Sequence, residues 1–375
     1  MTRCFAVIAG GGTAGHVIPA LAIGHALVAR GHPPETLHFV GSRRGIDRRL
    51  VPAAGFPLTL LPGRGLARRL TLDNLQSLAG FAVGLVQAVV LLARLRPAVV
   101  VSMGGYASAP CALAAALYRI PLVLSEQNAV PTTTHRLVGR FAAASAVPFE
   151  GTRLPRPVVT GNPVRAEILN VDATPVGRQR ARESLGLPAD AVVVAAVGGS
   201  LGARTINAAV MELVARWDGL PLAVRHAVGS RDWPWVQASL PTPSESIVAY
   251  QPIEYEDRMP EVLAAADLLV ARSGGATVSE LAVVGRAAIL VPLPIAPYDH
   301  QAANARQLVE AGAAVMLRDP EMTGERLVAE LRQLLEKGPE RLEAMGEAAR
   351  AIGRPDAADA VAALVESTAR PSSSR

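Results

Sequence analysis

The stretch Phe5-Ala6-Val7-Ile8-Ala9-Gly10-Gly11-Gly12-Thr13-Ala14-Gly15-His16 decides the fold. Its five apolar residues carry no charge and read as a strand buried on both faces, the mark of a parallel sheet. Gly10, Gly12 and Gly15 then give the GxGxxG spacing, and Val17, Leu21, Gly24 and Val28 recur at helical intervals. A strand, a glycine turn and a helix in that order aim free helix N–H groups at an anion or a polar ligand.

The same grammar runs through the chain. Strand-like runs fall at 5–9, 37–40, 99–102, 122–125 and 158–160, and again at 192–197, 222–227, 247–249, 268–271 and 288–291. Helical patterns separate most of them, which predicts parallel α/β sheets. Between the two series, 161–176 loses strand periodicity and holds Asn162-Pro163 and Asp172-Ala173-Thr174-Pro175, a linker composition. Two doubly wound domains are expected.

Three more glycine loops follow strands. They are Met103-Gly104-Gly105-Tyr106-Ala107-Ser108, Gly198-Gly199-Ser200-Leu201-Gly202-Ala203-Arg204 and Arg272-Ser273-Gly274-Gly275-Ala276-Thr277-Val278-Ser279-Glu280. Open α/β sheets bind ligands at the C-terminal ends of their strands. Four loops divided between two domains predict two facing edges and a cleft. The third and fourth suit a diphosphate, with Ser200 donating to its oxygens and Glu280 accepting from ribose hydroxyls. Arg165 could help to hold the diphosphate in place of Mg²⁺, because Asp-x-Asp and paired histidines at metal-ligand spacing are absent. No metal and no cofactor are expected. His16 faces the presumed cleft and is the candidate general base. Near His300, Gln301 and Asn304 suit sugar hydroxyls. A nicotinamide enzyme usually shows an acid after the second strand. Here Gly41-Ser42-Arg43-Arg44 stands there, which leaves an NADP oxidoreductase open as an alternative.

Composition narrows the classes. The chain has 375 residues, half of them hydrophobic and 18% charged, which excludes disorder over most of its length. Its two cysteines, Cys4 and Cys111, exclude a disulfide scaffold. Net charge is +5, but aromatics are 4% and no nucleic-acid motif occurs, so nucleic acid is not an expected partner. The stretch 74–93 is uncharged and long enough to span a bilayer, yet it leads through Arg94-Leu95-Arg96-Pro97 into a buried strand. A crossover helix is expected there. Leucines and arginines mix from Leu60 to Leu70, including Arg64, Arg68 and Arg69. With Leu75, Leu78 and Phe81 they predict a basic, apolar patch for an anionic membrane surface.

Taken in order, GGGTAGH, MGGYAS, SEQNAVP, GNPVR, GGSLGAR, RSGGATVSE and DHQAANA resemble the MurG family over about residues 5–350. The resemblance implies a GT-B fold of two Rossmann-like domains. Residues 1–163 would form the acceptor and membrane domain and 164–345 the UDP-sugar domain. A C-terminal helix within 346–375 would return to the first domain. It implies inverting transfer of N-acetylglucosamine from UDP-N-acetylglucosamine to the muramyl 4-hydroxyl of lipid I, at the cytoplasmic face of the bacterial membrane. Thr13, Ala14, Gly15 and Asn128 would then lie by the donor sugar, and Arg165 and Ser200 by the diphosphate. Ile253 would meet uracil through its backbone. Gly275, Ala276, Thr277, Val278, Ser279 and Glu280 would wrap phosphate and ribose, and Gln301 would touch the sugar. Gly104, Gly105 and Tyr106 would serve the acceptor.

Two positions depart from the family pattern. Ser125 stands where a histidine often precedes Glu-Gln-Asn, which places more of the proton transfer on His16. Thr132-Thr133-Thr134-His135-Arg136 replaces a Gly-containing continuation that ends in Asn-Arg. A GT-B transferase with a soluble acceptor, a UDP-N-acetylglucosamine 2-epimerase-like enzyme and a non-catalytic nucleotide-sugar sensor are the other readings compatible with this architecture.

Overall fold

Thirteen short strands among the described residues form two all-parallel sheets, and most of the central strands are apolar along their whole length. The computed structural model describes residues 4–43, 45–62, 72–199, 201–241, 248–336, 338 and 340–371, with backbone alone at 72–77.

The first unit comprises Met1–Arg165 and Arg354–Arg375. Its strands are β1 (Ala6–Ala9), β2 (Leu37–Ser42), β3 (Leu58–Leu61), β4 (Val99–Ser102), β5 (Leu122–Ser125), β6 (Ala144–Val147) and β7 (Pro157–Val159). They lie in the order β3-β2-β1-β4-β5-β6-β7. Helices α1 (Ala14–Ala29), α2 (Asp47–Ala53), α3 (Leu72–Leu95), α4 (Ser108–Leu117) and α5 (Thr133–Val138) connect them. Apolar clusters cover both faces of the sheet. One joins Val7, Val100 and Leu122 to Leu92 and Cys111; the other joins Ile8, Val99 and Val101 to Ile23 and Leu27.

The second unit is Ala166–Gly353. Its strands are β8 (Val192–Val197), β9 (Leu222–Ala227), β10 (Val248–Ile253), β11 (Leu268–Ala271), β12 (Ala287–Leu290) and β13 (Ala314–Met316), ordered β10-β9-β8-β11-β12-β13. Its helices are α6 (Ala166–Leu169), α7 (Pro175–Leu185), α8 (Arg204–Arg216), α9 (Trp233–Ala238), α10 (Met259–Ala265), α11 (Gly275–Val284), α12 (His300–Glu310), α13 (Gly324–Leu335) and α14 (Glu340–Ile352).

A last helix, α15 (Ala357–Thr368), belongs to the first unit. Val361, Ala362 and Val365 sink into the cluster that holds Ile23 and Leu27. Arg30 binds Asp359 at 2.9 Å and Glu366 at 2.8 Å, and His32 Nε2 meets Glu366 at 2.9 Å. A domain boundary at 345 needs correction. It would cut α14, whose Leu342 and Met345 are buried in the second unit's core, and the chain leaves that unit only after Gly353.

Helix α3 has a stretch, Leu78–Leu95, long and apolar enough to cross a membrane, with mean hydropathy 2.1. Its flanking strands β3 and β4 lie in one sheet. A spanning helix would put them on opposite sides of a hydrocarbon layer about 30 Å thick. Gly84, Ala88 and Leu92 are buried on its inner face, so α3 is a crossover helix. The expected patch loop, with Arg64, Arg68 and Arg69, lies outside the described residues. Leu60 and Leu61 do not belong to such a patch: both are in β3, and Leu61 is buried in the core.

Candidate active site

The strand orders explain why the glycine loops matter. Each sheet reverses its winding direction at one point, between β1 and β4 in the first unit and between β8 and β11 in the second. The pairings Ala9↔Ser102 and Val197↔Ala271 bring the strand ends level. The first two glycine loops therefore meet at one switch point and the last two at the other. A crevice at such a point is where doubly wound sheets take ligands.

In the first unit Thr13 caps α1 and leaves its hydroxyl 3.1 Å from His16 Nδ1. The half-buried His16 ring turns its other nitrogen toward the second loop: a side chain on Gly104 would touch Nε2 at 3.5 Å. Gly104 and Gly105 take the left-handed backbone needed for that close approach. Ala14 is exposed and Gly15 half-buried beside them. Tyr106 packs edge-on to Phe81, with ring centroids 6.0 Å apart, and burial raises its phenol pKa.

Sequence reading missed the group that holds the first loop. Asp47, at the start of α2, is 2% exposed and accepts from the Gly12 N–H at 2.9 Å. Side chains on Gly11, Gly41 or Gly45 would crowd into Asp47, so one glycine of β2 and two from loops leave its space. Burial pushes its pKa up, against the backbone hydrogen bonds it accepts. Those glycines are scattered along the chain, so no local motif marks the cradle.

A second missed unit organises the Asn128 loop. Glu126 and His135 are fully buried, with Glu126 Oε2 accepting from His135 Nδ1 at 2.8 Å and from Thr132 N–H at 2.8 Å. Glu126 Oε1 accepts from the backbone N–H of Gln127 and Asn128 and from the Asn128 side-chain amide, at 3.0, 3.1 and 3.1 Å. Burial alone would raise the Glu126 pKa; His135 and these donors instead bring it down to about 2. His135 Nε2 lies 3.1 Å from both the hydroxyl and the carbonyl oxygen of Ser102, and Thr134 Oγ1 donates to Gly105 O at 3.1 Å. The departure at Thr132–Arg136 thus ties the Asn128 loop to the second glycine loop. Arg165 is half-buried at the end of the first unit's main segment.

In the second unit the N-terminus of α11 is open. Gly274 is its N-cap, no side chain caps it, and its first turn has no acid. An anion there would meet unpaired N–H groups and the positive end of the helix. Gly275 is buried in that turn, while Ala276, Thr277, Ser279 and Glu280 are half-buried. Ser279 Oγ donates to Gly275 O at 2.9 Å. Val278 is fully buried, and its N–H donates to Gly274 O at 3.0 Å. Gln301 joins this loop through its carbonyl, which accepts from Ser273 Oγ at 2.8 Å. Its side-chain oxygen accepts from Leu293 N–H at 2.9 Å, so a sugar hydroxyl would use its amide NH₂. Asn304 is corrected as a sugar partner: it is 0% exposed and donates to Ser273 O at 3.1 Å. Ile253 ends β10, and its carbonyl accepts from Val228 N–H at 2.9 Å, which leaves that oxygen one lone pair for a base. Ser200 lies outside the described residues.

The third loop is held by backbone contact. Side chains on Gly202 or Gly229 would overlap Val228 O and Gly202 N respectively, and one on Gly198 would come within 2.5 Å of Ala203 N. Asn207 supports it from below by donating to Val228 O and Asp232 at 3.0 Å, while its oxygen lies 2.9 Å from His226 Nε2. His226 Nδ1 lies 2.9 Å from Tyr250 OH, and burial lowers the His226 pKa to about 4.

This geometry meets independent matches. The glycosyltransferase family 28 N-terminal domain matches residues 6–147 and the family's C-terminal domain matches 193–361. A UDP-N-acetylglucosamine–N-acetylmuramyl-(pentapeptide) pyrophosphoryl-undecaprenol N-acetylglucosamine transferase of Desulforudis audaxviator (strain MP104C) is 40% identical, covering 97% of this chain and 98% of its own. The chain belongs to the MurG family. A relative of the same name from Myxococcus xanthus (strain DK1622) is 38% identical over 95% of this chain and 91% of its own. The crystal structure of Acinetobacter baumannii MurG superposes with a TM-score of 0.76 at 29% identity, covering 98% of this chain and all of that one. The UDP-GlcNAc 2-epimerase of Neisseria meningitidis shares the fold at TM-score 0.65 and 14% identity, covering 98% of this chain and all of its own. The family match establishes a UDP-N-acetylglucosamine-dependent hexosyltransferase with two parallel-sheet α/β domains of the GT-B kind.

Proposed function

We infer that this chain transfers N-acetylglucosamine from UDP-N-acetylglucosamine to the lipid-linked N-acetylmuramyl-pentapeptide, lipid I, and releases UDP and lipid II. The observation that carries the reading is the pair of switch points, each with two glycine loops, in a chain 40% identical over nearly its full length to a transferase of that name.

The roles divide by unit. The open N-terminus of α11 and the Gly198–Arg204 loop take the diphosphate, with Ser200 and Arg165 as further donors. Glu280 takes the ribose, Ile253 the uracil and Gln301 the sugar. Backbone N–H groups already pointing at the leaving diphosphate stabilise its developing charge without reorganising. Thr13, Ala14, Gly15 and Asn128 are assigned to the transferred sugar, and Gly104, Gly105 and Tyr106 to the acceptor. His16, oriented through Nδ1 by Thr13, takes the proton from the attacking 4-hydroxyl at Nε2. The hydroxyl attacks the anomeric carbon as UDP leaves from the opposite face, so configuration inverts.

The enzyme works at the cytoplasmic face of the membrane as a peripheral protein. Helix α3 supports this: Leu78, Val83, Val86 and Val90 are each at least half exposed along one face, with Arg94 exposed at its end. An apolar stripe with a basic end suits an anionic lipid surface.

The test is incubation with UDP-N-acetylglucosamine and a short-chain lipid I analogue in excess chelator. UDP and the β-linked disaccharide are expected in equal amounts. UDP release without acceptor, no disaccharide, or activity restored only by Mg²⁺ would contradict the reading.

A further inference from the structure

The second unit has a cavity of about 580 Å³ at the other end of its sheet. Its floor is the N-terminal ends of the strands, with Val192, Asp267 and Ala287 in its wall. Strand β8 separates it from the Gly198 loop by on the order of 20 Å at about 3.3 Å per residue. It is therefore no part of the site at the switch point.

Four arginines line this cavity, Arg178, Arg182, Arg286 and Arg350. Asp267 alone bridges to any of them among the described residues. It meets Arg178 at 3.1 Å and Arg182 at 2.6 Å. Arg286 is 3% exposed, and its guanidinium donates only to the main-chain oxygens of Leu263 and Ala264, at the end of α10. Arg350 lies against Gly285, in space that a side chain there would fill. The remaining acids in the wall, Asp190, Glu343 and Glu347, are exposed and form no ion pair among the described residues.

A buried charge needs a partner of opposite sign or costs several kcal/mol. Here burial, together with Arg178, Arg350 and Arg182, lowers the Arg286 pKa to about 10, with Asp267 opposing. Arg178 Nε is buried with no hydrogen-bond partner. Arg182 is already engaged, donating to Asp267 and Ala189 O at 2.6 Å and to Ala191 O and Ala265 O at 3.2 Å, so Arg178 and Arg350 are the planar forks left to meet the oxygens of a phosphate group in a cavity of ligand-site size.

We propose that this cavity binds a compact phosphate-bearing anion of the diphosphate or phosphorylated-sugar class. An anion seated among the four arginines neutralises Arg286 and satisfies Arg178 Nε.

The probe is inorganic pyrophosphate, titrated calorimetrically into the full chain with and without saturating UDP. Saturable binding is expected in both conditions. Arg350→Ala should weaken it by about tenfold or more. Arg350 is exposed, so this variant should keep the wild-type circular dichroism and melting profile. Arg341→Ala, on the same helix but outside the cavity, should bind as wild type does. Competition by phosphatidylglycerol vesicles would assign the site to a lipid phosphate, and lack of competition to a soluble one. Binding that vanishes with UDP, or that neither Arg350→Ala nor Arg178→Ala weakens, overturns the proposal.

Discussion

The first glycine loop of this chain is clamped by a hydrogen bond to a buried carboxyl oxygen and the third by shape. In the first unit the carboxylate of Asp47 accepts from Gly12 N–H, and three glycines clear space around it. In the second unit Gly202 and Gly229 bring backbone onto backbone, and Asn207, His226 and Tyr250 form a buried network with a neutral imidazole beneath them. One sheet plan has thus been fitted with two kinds of loop support. A loop resting on a carboxylate can yield to pH or to a competing donor. A loop resting on main chain yields only if the chain itself moves. That difference fits the proposal that the first unit moves a proton and the second holds a nucleotide.

The largest expected effect attacks the shape-held loop. Gly229 has φ +86°, and a side chain there would overlap Gly202 N. Gly229→Ala should cost more than about 4 kcal/mol in urea denaturation. Any folded fraction should have lost UDP binding. A loss under about 1 kcal/mol would break the comparison.

Next is Glu126→Gln in the first unit. It removes a buried carboxylate that serves five donors, His135 Nδ1 among them, which should cost about 3–4 kcal/mol. The native pKa near 2 lies below the ordinary 4.5. Its stabilisation is therefore complete above about pH 4.5 and lost as pH falls toward 2. The variant's stability should fall less steeply across that window, because Asp172, Glu261 and Glu366 still contribute to it. A slope equal to the wild type would remove Glu126 as its source.

His226 sharpens the contrast at milder pH. Its native pKa of about 4 lies below the ordinary 6.5, so the folded state disfavours the protonated ring. Stability should fall as pH drops from about 6.5 toward 4, by about 3 kcal/mol in all. His226→Gln keeps a hydrogen-bonding side chain and should remove most of that fall, leaving the part due to half-buried His38. Guanidinium denaturation across the range reads it directly.

The smallest effect separates hydrogen bonding from charge at the first loop. Asp47→Ala leaves the Gly12 N–H without its acceptor and should cost about 2 kcal/mol, with turnover falling more than donor KM rises. Asp47→Asn keeps an oxygen for that N–H and should stay within about 1 kcal/mol of wild type. Equal losses in the two variants would mean that the charge, and not the accepted bond, holds the loop.

How much of this was legible in the sequence follows from the range of each interaction. Runs such as Val99–Ser102, Leu122–Ser125, Val192–Val197 and Leu268–Ala271 match their strands to the residue, because burial on both faces demands unbroken apolar runs. Strand β6, Ala-Ser-Ala-Val, has little β propensity and β13 is three residues long, so neither stood out. Strand β10 runs on through Pro252, which an edge strand tolerates. The four glycine loops were visible because each is local. Asp47, and the pairing of Glu126 with His135, depend on which strands neighbour which. Asn304 looked like a sugar ligand because sequence cannot distinguish an amide that faces a cleft from one that pins the loop beside it.

The most direct test of the central claim is a crystal structure of the chain with UDP-N-acetylglucosamine bound. The account predicts the diphosphate over the N-terminus of α11 and the Gly198–Arg204 loop, with the Glu280 carboxylate on the ribose hydroxyls. A nucleotide seated instead on Gly10–Gly15 of the first unit, with the second switch point empty, would contradict it.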